Sequence, residues 1–202
     1  MRYPKVLGLA AVAALALLAL AAPGAASTTQ ICKRAEGGGD GKCRNGSSER
    51  ELAKGESFTA TSTDLVLTSP STDVACATSS VTLKMASRNT ASLIRSKVTA
   101  LSFVGCRTSG GTPCVTTVAN LPYDAALHRS DILFFDKAGG VAIHLSCGYL
   151  VSCEFTVHEQ LLALEGNLLV ASSERPTTAR GFCPVAARFD ATYSTGSRIT
   201  FS

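Results

Sequence analysis

From residue 57 onward the chain is a succession of short runs rich in Val, Thr, Ile and Phe, separated by clusters of Gly, Pro, Ser and Asp. That spacing is the signature of strands and tight turns. The predicted strands cover 58–61, 65–68, 74–77, 81–85, 97–106, 115–119, 132–135, 141–147, 153–158, 161–165, 168–172, 187–194 and 199–201. Helical competition is weak, because the one candidate, 160–164, meets Gly166-Asn167 within a turn. Many short strands at regular spacing predict an all-β fold, a single antiparallel β-sandwich or barrel-like domain.

Two segments break the pattern. Residues 27–56 are polar, charged and Gly-rich, with Gly37-Gly38-Gly39-Asp40-Gly41 between Cys32 and Cys43. They read as a loose N-terminal lasso. A phosphate-binding loop is excluded there, since Lys42 is followed by Cys43 and not by Ser or Thr. Residues 1–26 read as a cleavable export signal: Arg2 and Lys5 form a positive start, 6–22 an uncharged Ala/Leu core, and Gly24 and Ala26 the small-residue cleavage site. No cysteine stands at the cut, which argues against a lipid anchor. The expected product is a secreted, extracellular protein with no membrane span after cleavage, its all-β domain covering 57–202.

Removing Arg2 and Lys5 leaves 17 basic against 15 acidic residues, a net charge of +2. The charges are interspersed, so the electrostatic footprint of a nucleic-acid binder is missing. The eight cysteines all lie downstream of the export signal. An even count in an exported chain predicts a disulfide framework, and no Cys-x-x-Cys spacing suggests zinc or redox chemistry. Local spacing proposes Cys32–Cys43 across the lasso, Cys106–Cys114 across a Gly/Pro turn and Cys147–Cys153 across a second hairpin. Cys76–Cys183 remains as a long bridge.

The chain resembles a group of small disulfide-rich secreted actinobacterial proteins. The resemblance rests on the Cys-loop-Cys of the N-terminal segment, Val74-Ala75-Cys76-Ala77, Leu101-Ser102-Phe103-Val104-Gly105-Cys106, Ala119-Asn120-Leu121-Pro122-Tyr123, Cys147-Gly148, Cys153-Glu154-Phe155, Cys183-Pro184 and Ala191-Thr192-Tyr193. It implies a shared disulfide-braced fold and transfers no activity, cofactor or catalytic residue.

Candidate chemistry concentrates in the 147–153 hairpin. With Cys147 opposite Cys153, Ser146 would face Glu154 and His144 would face Thr156, putting His144, Glu154 and His158 on one polar face. Those three could hold a metal ion or act as a general acid and base. His158-Glu159-Gln160-Leu161-Leu162 lacks the second histidine of the zinc-protease helix, and no Gly-x-Ser-x-Gly elbow occurs. No cofactor is implied. On the binding side, the chain has no Trp, and only Tyr123, Tyr149 and Tyr193 follow the export signal, so an aromatic sugar platform is not expected. Tyr149, Leu150 and Val151 form an apolar trio at a tethered hairpin tip, a shape suited to contacting a protein or envelope surface. Residues 107–113 resemble a tethered protease-inhibitor loop in form, although Gly110 and Gly111 make it flexible for that role. The sequence therefore favours a non-catalytic extracellular binding or structural module over a secreted hydrolase.

Overall fold

The computed structural model describes residues 31–34, 43, 49–69, 72–87, 93–128, 132–149, 151–165, 168–172, 178–180, 188–195 and 199–201. Every regular element among them is a strand. In chain order these are β1 (Ile31–Arg34), β2 (Glu49–Glu51), β3 (Ser57–Ser62), β4 (Val66–Thr68), β5 (Val74–Ala75), β6 (Thr78–Met85), β7 (Leu93–Val104) and β8 (Arg107–Thr108). They continue as β9 (Cys114–Ala119), β10 (Tyr123–His128), β11 (Ile132–Cys147), β12 (Val151–Glu165), β13 (Leu168–Ser172), β14 (Thr178–Arg180), β15 (Arg188–Thr195) and β16 (Ile199–Phe201).

Eight of these strands form a barrel-like circuit. The order β12-β11-β10-β7-β6-β3-β15-β13 is hydrogen-bonded and antiparallel throughout, and β13 pairs back to β12. A ladder that returns on itself satisfies backbone groups that an open sheet would leave on its edges. Five further strands decorate it: β9 and β14 flank the β11–β12 hairpin, and β4, β5 and β8 continue outward from β15, while β16, β1 and β2 form a separate three-stranded sheet.

Alternation decides which face is inside. On β3, Phe58, Ala60 and Ser62 are buried while Ser57, Thr59 and Thr61 are exposed. On β6, Ser79, Val81, Leu83 and Met85 point inward. On β7, Ile94, Ser96 and Val98 do so until Thr82 pairs with Ala100 and Leu83 with Val98, leaving Thr99 as an extra residue. That bulge flips the alternation, so that Leu101 and Phe103 become the core side. The outward set is a wetted one: the Thr59 and Thr82 hydroxyls bond at 2.8 Å, the Ser80 and Ser102 hydroxyls at 2.7 Å, and Lys84, Arg95 and Lys97 are exposed or charged neighbours. A lipid-facing strand surface would be apolar here. Among the described residues no helix is long and apolar enough to cross a membrane.

The core holds two tyrosines. Ser79 Oγ donates to the Tyr193 hydroxyl at 3.0 Å, which lets the phenol be buried with its polar end satisfied. Burial pushes the Tyr193 hydroxyl up to about 12 and raises Tyr123 further, so both stay neutral. β15 is shared on one edge by β3, at Ser194 and Thr195, and by β4, at residues 188–190. Between those two ladders the Thr192 N–H finds the Asp64 carboxylate at 2.8 Å. Asp64 also accepts from Ser62 Oγ, and these bonds, the Ser62 one foremost, lower its pKa.

The pattern missed β10, β8, β14, β1 and β2. Tyr123-Asp124-Ala125-Ala126-Leu127-His128 contains no β-branched residue, and it becomes strand β10 because β7 and β11 pair with both its edges. Residues 136–140 resemble a turn in sequence, yet β11 runs through them with a register shift between Asp136 and Val141. The segment expected to be a loose lasso contributes two strands. β1 lies between β16 and β2, Ile31 opposite Phe201 and Cys32 opposite Glu51, and Ile31, Cys32 and Leu52 are buried. Arg50 Nη1 bonds Glu56 Oε2 at 2.8 Å and the Ala53 N–H donates to the same oxygen at 2.6 Å.

The disulfides differ from the local pairings. Cys32–Cys43 is the pair the spacing suggests. Cys76, however, is bonded to Cys106 and not to Cys183, and Cys114 is bonded to Cys147 instead of Cys106. Cys147 stands directly opposite Cys114 with Cα atoms 4.1 Å apart, the narrow spacing of a non-hydrogen-bonded antiparallel site. Cys147–Cys153 fails because Cys147 pairs with Val151 while Cys153 stands opposite Leu145. In the chain-entropy account, bridges of 30 and 33 residues are worth roughly 3.6 kcal/mol each, against about 2.5 for an 8-residue loop. Cys153 is buried and disulfide-bonded. Cys183 lies outside the described residues.

Two measurements follow. Arg50 is the main cause that brings the Glu56 carboxyl down from 4.5 to about 2. A depressed carboxylate stabilises the fold above its unfolded pKa and loses that contribution as pH falls through the folded one. Urea unfolding should therefore show stability declining between pH 4.5 and about 2, with Glu56→Gln removing part of that slope. Separately, the three bridges and Cys153 account for all cysteines but one. Non-reducing peptide mapping should accordingly join Cys153 to Cys183.

Candidate binding surface at the disulfide-braced end

The β11–β12 hairpin turns between Cys147 and Val151, which are opposite one another. Gly148 has φ +61, and a Cβ there would lie 3.2 Å from Thr112 Cγ2, so glycine allows the turn to seat against the neighbouring loop. Tyr149 follows at the tip and is fully exposed. Leu150 lies outside the described residues, as does the side chain of Val151.

β9 lies beside this hairpin, with Val115 opposite Ser146. Val115 is 70% exposed, and Val104, at the end of β7, is 59% exposed. Gly105 then takes φ +65, its backbone passing so close to the residue before β6 that a Cβ would come 3.0 Å from Ala77 Cβ. This turn sends Cys106 inward to Cys76 and leaves Val104 outward. The Cys114 N–H donates to the Cys106 carbonyl at 2.8 Å, which sets β9 alongside the end of β7. Val104, Val115 and Tyr149 are the exposed large hydrophobics among the described residues, and all three occupy this end.

The loop at residues 107–113 is a tight hairpin and not the extended segment an inhibitor loop requires. Gly111 N–H donates to Thr108 O at 2.8 Å, Thr108 N–H to Thr112 O at 2.9 Å, and Ser109 N–H to Asp73 O at 2.8 Å. Ser109, Gly110, Gly111, Thr112 and Pro113 are all exposed around that frame. Bridges at Cys106 and Cys114 fix both stems of the loop.

The His/Glu constellation is only partly assembled. The Cys147–Val151 register shifts the pairing by two residues from the expected one, so His144 faces Glu154, Ser146 faces Ser152 and Ala142 faces Thr156. His144 Nδ1 lies 3.8 Å from Glu154 Oε2 on the outer face, with Thr117 of β9 opposite His144. His158 sits further along β12, its side chain outside the described residues. Among the described residues no three His, Cys, Asp or Glu side chains converge as a metal site. Tyr123 and Tyr193 are core residues, which leaves Tyr149 as the exposed tyrosine among the described residues.

The sequence located the tip through Tyr149 but missed Val104 and Val115. Each sits in a strand-like run whose facing depends on the Gly105 turn and the β9 register, and neither can be read from one-dimensional spacing. The fold and this end together define a disulfide-braced, all-β protein with large apolar side chains exposed at one end. A scan against protein-family models and searches of curated proteins and of solved structures found no match to the chain. Several residues behind the family resemblance, among them Val74, Cys76, Cys106, Cys147, Cys153, Phe155, Ala191 and Tyr193, are buried core positions.

Gly105→Ala should lower the urea midpoint by the equivalent of about 1–3 kcal/mol, from the left-handed backbone and the close Ala77 contact together. An unchanged midpoint would mean that β7 and β6 can separate freely at this point.

Proposed function

We propose that this chain is a secreted, non-catalytic recognition module that grips a protein partner through Val104, Val115 and Tyr149. The observation that carries this reading is that the three large hydrophobics left in water among the described residues share the end locked by two disulfides. An apolar centre ringed by small polar groups has the composition of a protein contact. Here the turns and strands that carry the three also expose Ser109, Thr112, Thr117, Ser146 and Ser152. Tyrosine is a frequent hot-spot residue, and a tip held by bridges loses little entropy on binding. The export-type N-terminus and the cysteines, none free among those described, support an extracellular setting. A hydrolase acting through His144, Glu154 and His158 has behind it only the facing pair His144 and Glu154.

The test uses the full secreted protein on intact producing cells. Retention on the cell surface should fall close to thirtyfold, or about 2 kcal/mol, in Tyr149→Ala. Val115→Ser should weaken it further, while Thr59→Ala on the exposed side of β3 should leave it unchanged. Prior protease treatment of the cells should abolish retention, since the partner is a protein. Retention that survives protease would point to an envelope polymer or lipid and reject this reading, as would equal binding by all variants.

A further inference from the structure

We propose that Cys76, Cys106, Cys114 and Cys147 form an exchange-competent row, in which the two middle cysteines are poised to take each other as partners. The bridge between Arg107 and Pro113 sets the hairpin register, and one step along it Cys106 stands opposite Cys114. The Cys114 N–H bonds the Cys106 carbonyl at 2.8 Å. On the far side of Cys114 stands Cys147, and on the far side of Cys106 is its partner Cys76. Four cysteines thus line up across neighbouring strands, bonded first to second and third to fourth.

The middle pair shares a face. Thr116 Oγ1 lies 3.5 Å from Cys106 Sγ, and Thr116 is two residues from Cys114 along β9, on the same side of the strand. Opposed antiparallel residues hold their Cβ atoms roughly 4.5–5.5 Å apart, about an ångström beyond the spacing of a disulfide, so a rotamer change with a small approach of the two stems would bring sulfur to sulfur. The unused hairpin pairing is therefore a neighbouring state of the same residues. It is disfavoured by the shorter loop that it closes, and no large movement separates the two arrangements.

The sequence of steps balances with an external dithiol as reductant. One thiolate attacks the sulfur of half-buried Cys114, forming a mixed disulfide and releasing Cys147 as thiolate. The second thiolate then attacks the dithiol's own bonded sulfur, leaves as a cyclic disulfide and frees Cys114. The Cys114 thiolate attacks Cys106 Sγ, the Cys106–Cys114 bond forms, and Cys76 departs as thiolate. The dithiol loses two electrons and the protein gains two, ending with one bridge and two thiols in place of two bridges. The exchange would untie β5 from the end of β7 and the hairpin tip from β9 while closing residues 107–113 on themselves. It stands independently of the partner reading, although it would remodel the same surface.

The experiment is partial reduction of the full protein by limiting dithiothreitol at mildly alkaline pH, acid quench, alkylation and peptide mapping. A Cys106–Cys114 peptide should accumulate before full reduction, with Cys76 and Cys147 alkylated. Its level should exceed by at least about tenfold that in a parallel arm reduced by phosphine in acid, where thiolates are scarce and exchange is suppressed. The variant Cys147→Ser gives a second reading: part of the population should carry Cys106–Cys114 with Cys76 alkylated. Should the variant not fold, the wild-type arms decide alone. Detection of only Cys76–Cys106 and Cys114–Cys147 throughout the wild-type reduction overturns the proposal.

Discussion

Closure through β15 is the constraint on which the rest depends. This strand must meet β13 along one edge and divide the other between β3 and β4. Where the second edge changes partner, the Thr192 N–H would face no strand, and Asp64 accepts it instead. A carboxylate serves here because it takes the N–H and the Ser62 hydroxyl together, so the corner between β3 and β4 turns without an orphaned donor. Its lowered pKa reflects the same bonds. Tyr193, the next residue along β15, points the other way into the core and docks on Ser79. Two adjacent residues of β15 therefore fix both the seam and the interior, which is why the ladder can return on itself at this strand.

Fold class was legible because strand propensity and turn residues agree along most of the chain. The exceptions have a common cause, in that pairing overrode local preference. Ala125, Ala126 and Leu127 have little strand preference and become β10 between two partners. The polar N-terminal segment becomes ordered strand because β16 and β2 flank β1, burying Ile31 beside Leu52. The candidate site divides the same way. Tyr149 could be found because a turn between strand-like runs is a local signal, whereas Val104 became exposed through the φ of Gly105 and the bulge at Thr99, features set by contacts across strands.

The cysteines show how far a sensible local rule can mislead. Cys106 and Cys114 are indeed opposite each other in a hairpin, as their spacing suggests. Each is nevertheless bonded outward, to Cys76 and Cys147. The outward bridges close longer loops and therefore remove more entropy from the unfolded chain. The Cys114–Cys147 bridge closes the end of the β9–β11 ladder, and Cys76–Cys106 sits between the β5–β8 and β6–β7 ladders, so each fastens strands 30 or more residues apart in sequence. A bridge within the 107–113 hairpin would fasten only a short local loop. Stability thus selects the pairing that sequence proximity disfavors.

The same choice explains where apolar side chains can remain in water. An exposed Val or Tyr on a mobile loop tends to bury itself by local collapse, because nothing prevents the loop from folding over it. At this end the route is blocked: the 107–113 hairpin is held by its own hydrogen bonds and by Asp73, Gly148 packs against Thr112, and both stems are bridged. Val104, Val115 and Tyr149 are kept outward by a frame stiff enough to withstand the hydrophobic cost of their exposure. In the proposed recognition role, that stiffness would let a partner gain their burial without having to order the loops beneath them. Brace and exposed apolar end are consequently one structural unit, so the proposed change in cysteine pairing would alter what this end presents.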